Sequence, residues 1–247
     1  RRGRSHRGGA CVPPCCWQAA AESKMVEEDE EFPEPLAAYT LTTEAGEKKS
    51  SKGFTGKGTA AYTNGDVYEG LFQNGVRQGA GNYKYRRGDV FEGSFENNFK
   101  AGLGRVTFKK GGFYHGYFKD GKREGEGTFQ YANGDIYSGF WQGGKRHGKG
   151  THVFNKTKYV YAGDWKDGQI QQGTWQLTDG TKFVGNFQSQ KPLGDGIWQT
   201  AKGTIVEGSY LQQVLPIDKA PLAKPGDTPA TTTKTYWSTT TMVVVEE

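Results

Sequence analysis

Cysteine and long apolar runs are scarce in this sequence, and each shortage excludes a class of protein. The three cysteines, Cys11, Cys15 and Cys16, lie within the first sixteen residues. A disulfide framework through the body is therefore excluded, and a reducing, cytoplasmic compartment is expected. No apolar stretch approaches the roughly 20 residues of a transmembrane helix. Hydrophobic residues make up 34% of the chain and the mean hydropathy is −0.78, which argues against a thick conventional core.

Catalytic and nucleotide-binding motifs are missing as well. The segment Gly53–Gly58 resembles a phosphate loop, but Gly58 stands where Ser or Thr is required, and no Gly-x-Ser-x-Gly motif occurs. His147 and His152 share no spacing with a cysteine or carboxylate, and we expect them to lie at a solvated hairpin end. The sequence therefore predicts a protein that is not an enzyme and holds no metal or cofactor.

Glycine and aromatic residues are abundant instead, and they recur at a fixed interval. The chain has 38 Gly, 14 Phe, 13 Tyr and 6 Trp. Gly-x-Gly pairs begin at 56, 79, 102, 125, 148 and 194, and Gln171-Gln-Gly173 fills the slot that the 23-residue period leaves between the last two. An aromatic-x-Gly marker runs in phase, from Tyr68-Glu-Gly70 to Phe183-Val-Gly185. These markers define seven repeat units.

Within each unit the hydrophobic pattern has a period of two, which is typical of β-strands. Asn-Gly pairs such as Asn133-Gly134 are strong hairpin signals and predict positive φ at both turn positions. The predicted hairpin tips lie near residues 65, 88, 111, 134, 157, 180 and 203. Tyr137, Gly139 and Trp141 share one strand face, so an aromatic ring can cover the glycine between them. The sequence predicts an all-β, single-layer antiparallel solenoid of about seven hairpins.

The full motif, Tyr-x-Gly-x-Trp/Phe-x-x-Gly-x-x-x-Gly-x-Gly, resembles the MORN (membrane occupation and recognition nexus) repeat. The resemblance covers about 53–211 and implies an elongated, twisted antiparallel sheet with a groove along it. We predict a disordered N-terminal extension at 1–52, the MORN-repeat solenoid at 53–211, and a Pro/Thr-rich linker with a possible terminal β-strand at 212–247. That strand could join the edge of its own sheet or of another chain's.

A basic column is the first candidate binding surface. Its members recur at the repeat period or flank those that do: Arg77, Lys100, Lys122, Arg123, Lys145 and Arg146. We expect these side chains to lie in loops along one edge, where they would bind an acidic partner segment or anionic lipid head groups. The alternative is a solvated edge that keeps the sheet soluble.

An aromatic face is the second candidate surface. It consists of Phe72, Phe95, Phe118, Trp141, Trp165 and Phe187. These rings could all belong to the core of the repeats. A single-layer sheet has no second layer of its own, however, so part of this face could stay open and bind a partner.

The stretch from Tyr137 to Tyr210 is similar to the MORN subunits of the radial-spoke head. The resemblance rests on Arg146-His-Gly-Lys-Gly150, on Lys158-Tyr-Val-Tyr-Ala-Gly-Asp-Trp165 and on Lys191-Pro-Leu-Gly-Asp-Gly196. It implies a non-catalytic scaffold in a multi-subunit complex of the ciliary or flagellar axoneme, with other radial-spoke or axonemal proteins as partners.

The alternative function is a peripheral membrane tether that binds anionic phospholipids through the basic edge. Nucleic acid is not expected as a partner, because residues 53–211 carry 21 basic and 14 acidic side chains, a thin surplus for such a long body.

Overall fold

The computed structural model describes residues 38–216 and 231–243, and these residues form one open antiparallel sheet of 17 strands. The described residues contain no helix. The predicted all-β, single-layer architecture is therefore confirmed. Residues 217–230 of the predicted C-terminal segment at 212–247, and the part of the predicted extension before residue 38, lie outside the described residues.

The strands follow one another closely along the chain. Their bounds are β1 Tyr39–Thr43, β2 Gly46–Lys48, β3 Gly56–Tyr62, β4 Val67–Gln73, β5 Val76–Lys84, β6 Val90–Glu96, β7 Phe99–Thr107, β8 Phe113–Lys119, β9 Lys122–Gln130, β10 Ile136–Gln142, β11 Lys145–Val153, β12 Val160–Lys166, β13 Gln169–Gln176, β14 Lys182–Gln188, β15 Lys191–Gln199, β16 Ile205–Pro216 and β17 Thr231–Val243.

From β3 onward the strand order is a simple meander, whereas β1 lies between β2 and β3. β2 pairs with β1, β1 pairs with β3, and each later strand pairs with its successor as far as β17. At about 4.8 Å per strand the sheet is a ribbon roughly 75 Å long. Because each strand from β3 to β17 pairs with its successor, side chains at the same position in successive repeats form rows across this ribbon.

The sheet extends beyond the predicted boundaries at both ends. Residues 39–48 form β1 and β2, and Leu41 is buried against β3. A boundary at residue 53, with everything before it disordered, is therefore wrong for these residues. At the other end β16 continues past Leu211 and pairs with β17, so the terminal segment joins the edge of its own sheet.

Glycines face one another across the ribbon. In β4 and β5, Gly70 lies opposite Gly81, and the row runs from Gly58 in β3 to Gly208 in β16. A Cβ atom added to Gly70 or to Gly81 would come within 2.4 Å of the Tyr68 side chain. The predicted cover of glycine by rings is thus confirmed, and one ring spans both glycines of a cross-strand pair.

The hairpin turns differ from the prediction in their backbone geometry. The predicted tips are present, but at Asn64-Gly65 only the glycine has positive φ, 91°. The turns with positive φ at both positions lie at the opposite end of the strands, for example Asn74-Gly75 (50° and 88°) and Asp120-Gly121 (49° and 82°). These are the two-residue turns that Asn-Gly favours. Because such a turn fixes the register of its hairpin, it decides which later residues face the core.

The core is a column of aromatic rings on one face of the sheet. The Tyr68 ring meets Phe72 of its own strand edge-on at 5.2 Å and Phe95 of the next repeat at 5.0 Å. The same pair of contacts recurs from Phe91 and from Tyr114. Edge-to-face geometry is favourable for aromatic pairs. A single layer therefore builds its core from side chains that pack along the ribbon rather than against a second sheet.

Candidate functional site

The predicted aromatic face is filled by the protein itself. All six rings are at most 5% exposed: Phe72, Phe95, Phe118, Trp141, Trp165 and Phe187. Trp141 and Trp165 also donate hydrogen bonds from Nε1 to the backbone carbonyls of Gly127 (3.2 Å) and Gly150 (2.9 Å). These rings form the core and do not offer a binding surface.

The four repeated members of the basic column are not on a solvent-facing edge. Arg77, Lys100 and Arg146 are at most 3% exposed, and Arg123 is half-buried. All four lie in strands (β5, β7, β9 and β11) rather than in loops. The expectation of a solvated strip is therefore wrong for these four residues. Only the flanking Lys122 and Lys145 are exposed as predicted.

The buried cations lie over aromatic rings. The Arg146 guanidinium carbon is 4.6 Å from the centre of the Trp165 ring, and that of Arg123 is 4.5 Å from the Trp141 ring. Arg77 lies 5.3 Å from Tyr83. A cation over a ring face is attracted by the ring quadrupole, more strongly where water is excluded. The aromatic column is thus closed by cations, which is how one face of a single layer can be buried.

Each arginine of the column also binds the turn of the next repeat. The Arg77 backbone carbonyl accepts a hydrogen bond from the Asn98 N–H (3.1 Å), and Arg77 Nη2 donates to the Asn98 carbonyl (2.8 Å). Arg123 makes the same two bonds with Gly144, at 3.0 and 2.7 Å. Arg146 makes them with Gly168. We call this arrangement the arginine staple, since it joins successive repeats at their two-residue turns.

Lys100 occupies the position in β7 that corresponds to the arginines of the staple, and its side chain is shorter than theirs. Its backbone carbonyl accepts from the Gly121 N–H (3.0 Å), but its Nζ atom donates to Tyr85 Oη at 3.4 Å. Burial, together with the neighbouring positive charges of Arg123, Arg87 and Arg77, lowers the pKa of Lys100 to about 7.

A second joint lies at the opposite end of the strands, where aspartates bind the next loop. Asp66 Oδ1 accepts from the Arg86 N–H (2.7 Å), and Asp89 Oδ1 accepts from the Lys109 N–H (2.8 Å). These aspartates are not among the residues predicted from sequence, although the recurring Gly-Asp pair is a usable signal. The two kinds of joint fix both ends of each repeat to its neighbour.

His152 lies in the core and not at a solvated hairpin end. It is fully buried, with its Nε2 atom 3.7 Å from Asp135 Oδ2 and its Nδ1 atom 3.3 Å from Arg146 Nη1. Arginine only donates, so Nδ1 accepts and the ring proton sits on Nε2, facing Asp135. Burial lowers the pKa of His152, and the neighbouring carboxylate of Asp135 opposes this shift. His152 is therefore a neutral part of the joint.

The exposed face opposite the core carries a row of large apolar side chains. Leu71, Leu103, Tyr117 and Phe140 are 44–52% exposed. They lie along one line across β4, β7, β8 and β10, with the exposed Ala80, Ser94 and Glu126 on the strands between them, and Leu103 lies directly opposite Tyr117. Six strand spacings separate its ends, a length of about 29 Å. We call these four residues the outer band.

Lysines flank the outer band at the ends of the strands. Lys119, Lys122, Lys145 and Lys166 are exposed beside the two-residue turns, and Lys119 lies directly opposite Lys122. Farther along the ribbon the same row turns polar: Lys149 pairs with Asp164 at 2.7 Å, and Gln172 lies opposite Asn186. The outer band with its basic rim therefore occupies one part of this row, and other exposed apolar side chains, such as Val184 opposite Ile197, lie in β14 and β15.

Residues 38–216 and 231–243 form the described part of the chain. That part of the chain has no helix long and apolar enough to cross a membrane. It also has no group of three or more His, Cys, Asp or Glu side chains placed to hold a metal ion.

The repeat period, the glycine row and the ring column are matched by a known family model. The MORN repeat model matches residues 68–90, 91–113, 114–136, 137–156 and 161–171. These five matches together cover less than half of the chain. The other units of the 23-residue pattern lie outside the matched ranges. No curated protein matches the sequence.

Two solved structures show a limited likeness to this chain. One is the SAS-4 (dCPAP) TCP domain of Drosophila melanogaster, in complex with a proline-rich motif of Ana2 (dSTIL). It is 16% identical, with a TM-score of 0.40 over 67% of this chain and 85% of that chain. The other is the TCP10 domain of Danio rerio CPAP, 11% identical, with a TM-score of 0.40 over 69% of this chain and 82% of that chain. Similarity at this level carries no argument about function.

Proposed function

We propose that this chain is a non-catalytic scaffold that holds a protein partner against the outer band. MORN repeats are typically non-catalytic, and MORN repeats on an open sheet suggest a scaffold that binds a protein or a membrane. The observation that carries the proposal is the contrast between the two faces. The core face is filled by its own rings and cations, whereas Leu71, Leu103, Tyr117 and Phe140 stay exposed on the other face.

The surroundings of the outer band define the partner's chemistry. A band about 29 Å long suits an extended or helical segment that buries several apolar side chains in a row. The lysines at the nearby turns favour acidic side chains on the flank of that segment, since complementary charges steer and orient a complex. The proposed partner segment is therefore both acidic and amphipathic.

The finer proposal places the scaffold in an axonemal assembly, the radial-spoke head of a cilium or flagellum. Its support is the sequence resemblance of Tyr137–Tyr210 to the MORN subunits of that structure. A ribbon whose repeats are joined at both ends suits the role, because it can hold other axonemal proteins at fixed distances. The partners would then be neighbouring subunits of a multi-subunit complex.

The test is co-purification of tagged variants with axonemal proteins. Leu103→Glu combined with Tyr117→Glu should abolish partner recovery, since it places charges in the middle of the outer band. Val184→Glu is the matched control, because Val184 is also exposed (42%) but lies outside the band. Both variants should keep the wild-type melting temperature. Full recovery by the double variant, or equal loss in the control, would contradict the proposal.

A membrane tether is the second candidate function, and the exposed lysines at the two-residue turns favour it. Lys119, Lys145 and Lys166 lie along one edge of the ribbon, where anionic head groups could bind them. Flotation with liposomes containing an anionic phospholipid, compared with neutral liposomes, tests this function. Lys119→Glu with Lys145→Glu should remove flotation. If flotation is lost while axonemal recovery persists, the basic rim belongs to the membrane and the outer band to the protein partner.

A further inference from the structure

The last strand of the sheet leaves a long backbone edge. β17 is 13 residues long and pairs with β16 along one side. Within the described residues no strand pairs with its other side. A row of unpaired N–H and C=O groups of this length is a template for another strand.

The edge strands at the two ends of the ribbon differ in length and in charge. The N-terminal edge strand, β2, has three residues, of which two are charged: Gly46-Glu-Lys48. Such short, charged edges prevent strand addition. β17 has no proline, one charge at Lys234, and a composition dominated by threonine and other strand-forming residues. The C-terminal edge therefore lacks the devices that blunt the other one.

The aromatic column also ends incompletely at β17. Trp237 packs on Tyr210 with ring centres 4.9 Å apart, and a Cβ atom on Gly208 would come within 2.6 Å of its ring. It thus covers a glycine as Tyr68 does in β4. Yet Trp237 is only half-buried, whereas Tyr68 is fully buried with the next repeat beside it. One more strand on this edge would complete the burial.

We propose that this edge pairs with β17 of a second copy of the chain, antiparallel about a twofold axis perpendicular to the sheet. Such an axis keeps the core face of one copy continuous with that of the other. The ladder between β16 and β17 is irregular at Glu207/Gly208, where Thr240 is skipped, so residues 231–239 form the regular part of the edge. The centre of that part is Thr235, which would lie opposite the same residue of the second copy.

Charge and side-chain placement favour a second copy as the occupant. In this register Lys234 lies opposite Tyr236 of the second copy, and both side chains are exposed on the outer face. No two like charges face each other, and a lysine beside an aromatic ring is a favourable cross-strand pair. The half-buried Trp237 gains cover from the added strand in both copies at once.

The first experiment measures mass and register in the full-length chain. Analytical ultracentrifugation should show a concentration-dependent dimer. With Cys11, Cys15 and Cys16 replaced by Ser, Thr235→Cys should form a disulfide-linked dimer on mild oxidation. Directly opposed Cα atoms lie about 4.5–5.5 Å apart, within the range a disulfide spans. Ser238→Cys is the matched control and should not cross-link, since its two copies would be roughly 20 Å apart.

The second experiment reverses one charge at the same position. Tyr236→Glu places a carboxylate opposite Lys234 of the second copy, whereas Tyr236→Lys places a like charge there. The dimer of the Glu variant should dissociate at roughly tenfold lower concentration than that of the Lys variant. Both variants lose the same tyrosine, so any cost to folding is shared.

Three outcomes would overturn the proposal. A wild-type chain that stays monomeric at all concentrations rules out the second copy. A dimer that cross-links equally at Thr235→Cys and Ser238→Cys has a different register or surface. Equal dissociation constants for the Glu and Lys variants of Tyr236 would remove β17 from the interface.

Discussion

The two halves of the ribbon share one backbone plan but join their repeats differently. In β5, β7, β9 and β11 the residue opposite the second aromatic ring of the motif is a buried or half-buried cation, as in the pairing of Trp141 with Arg146. In β13 and β15 the same slot holds Ile170 opposite Trp165 and Pro192 opposite Phe187, and both are buried. The sheet continues through both halves without interruption.

This difference shows which structural feature is present in both halves of the ribbon and which is present in one half. Rings over glycine occur in both halves, since Tyr137 covers Gly150 and Phe183 covers Gly196. The arginine staple occurs in only one half. Burying a cation has a large desolvation cost, which ring faces and backbone carbonyls must offset. An apolar residue in the same slot avoids that cost but makes no bond to the next turn.

The outer band lies in the half that carries the staples. Leu71, Leu103, Tyr117 and Phe140 are on β4 to β10, and the joints formed by Arg77 and Arg123 lie in the same strands or their neighbours. Each joint fixes one repeat to the next at its turn. The proposed partner surface is therefore built on the part of the ribbon with the most restrained repeat-to-repeat geometry.

The largest expected effect concerns the element that both halves share. Gly139→Val should destabilise the protein by about 3–5 kcal/mol, comparable to Trp141→Ala, because its Cβ would lie 2.4 Å from the Gly150 backbone. Gly185→Val should cost about as much, since its Cβ would meet the Phe183 ring at 2.4 Å. Thermal unfolding measures all three. If either glycine variant has the melting temperature of wild type, the ring-over-glycine model is wrong for the half of the ribbon that contains it.

A smaller effect is expected from the element that distinguishes the halves. Arg146→Met should cost about 3 kcal/mol, because it removes a buried donor to the Gly168 carbonyl and leaves His152 Nδ1 without its partner. The matched change Ile170→Met keeps an apolar side chain in the same slot and should cost less than about 1.5 kcal/mol. Chemical denaturation measures the free energy of unfolding of both variants. Equal losses would show that the buried cation contributes no more than its volume.

Sequence alone predicts the repeat architecture well because its signals are local. The 23-residue period, the alternation and the glycine between two rings each depend on residues within one unit. The burial of Arg77 depends on the register of its hairpin. Applying the Asn-Gly rule to Asn74-Gly75 would have paired Gln73 with Val76 and Phe72 with Arg77, as the structure does. Placing the hairpin turn only at Asn64-Gly65 left that arginine in a loop.

Other features could not be read from one unit at all. The two bonds between Arg77 and Asn98 link different repeats, and so does the bond from Arg86 to Asp66. They depend on how far one hairpin is displaced from the next, which no single motif encodes. The outer band was missed for another reason. Its residues occupy the variable positions of the motif, where a repeat search discards the information.

Lys100 should give the stapled half a dependence on alkaline pH that the other half lacks. Its pKa falls from 10.5 to about 7 on folding, so between these values the unfolded chain binds more protons than the native one. Stability should therefore rise with pH from about 7, until tyrosine ionisation opposes it near pH 10.

The measurement is the melting temperature from pH 7 to 9.5 for wild type, Lys100→Met and Lys100→Arg. The Met variant carries no charge, and the Arg variant stays charged throughout, so neither should show the rise of a few degrees expected of wild type. The Arg variant should also complete the staple to the turn at Gly121. A rise of the same size in all three proteins would mean that another group causes it.

The smallest expected effect is on the acid side and concerns His152. Burial lowers its pKa below the usual 6.5, and the charged groups that face its ring are Asp135 and Arg146. Below pH 6.5 the unfolded chain therefore binds a proton that the native chain does not. The contribution of His152 to the free energy of unfolding is therefore fully present above pH 6.5 and is lost as the pH falls below that value.

His152→Tyr tests this with a side chain that the protein already uses. Tyr83 fills the same slot three hairpin units earlier and donates from Oη to Asp66 at 2.9 Å, so a tyrosine at 152 should find the equivalent acceptor in Asp135. At pH 7.5 the variant should have the same melting temperature as wild type. Between pH 6.5 and 5 its melting temperature should fall less steeply than that of wild type as the pH is lowered. Below about pH 4 both proteins should lose stability together, because the pKa of Asp135 is lowered on folding by its hydrogen bonds. If wild type and variant show the same slope from pH 6.5 to 5, His152 does not titrate between the folded and unfolded states in that range, and the neutral ring assigned to the joint is wrong.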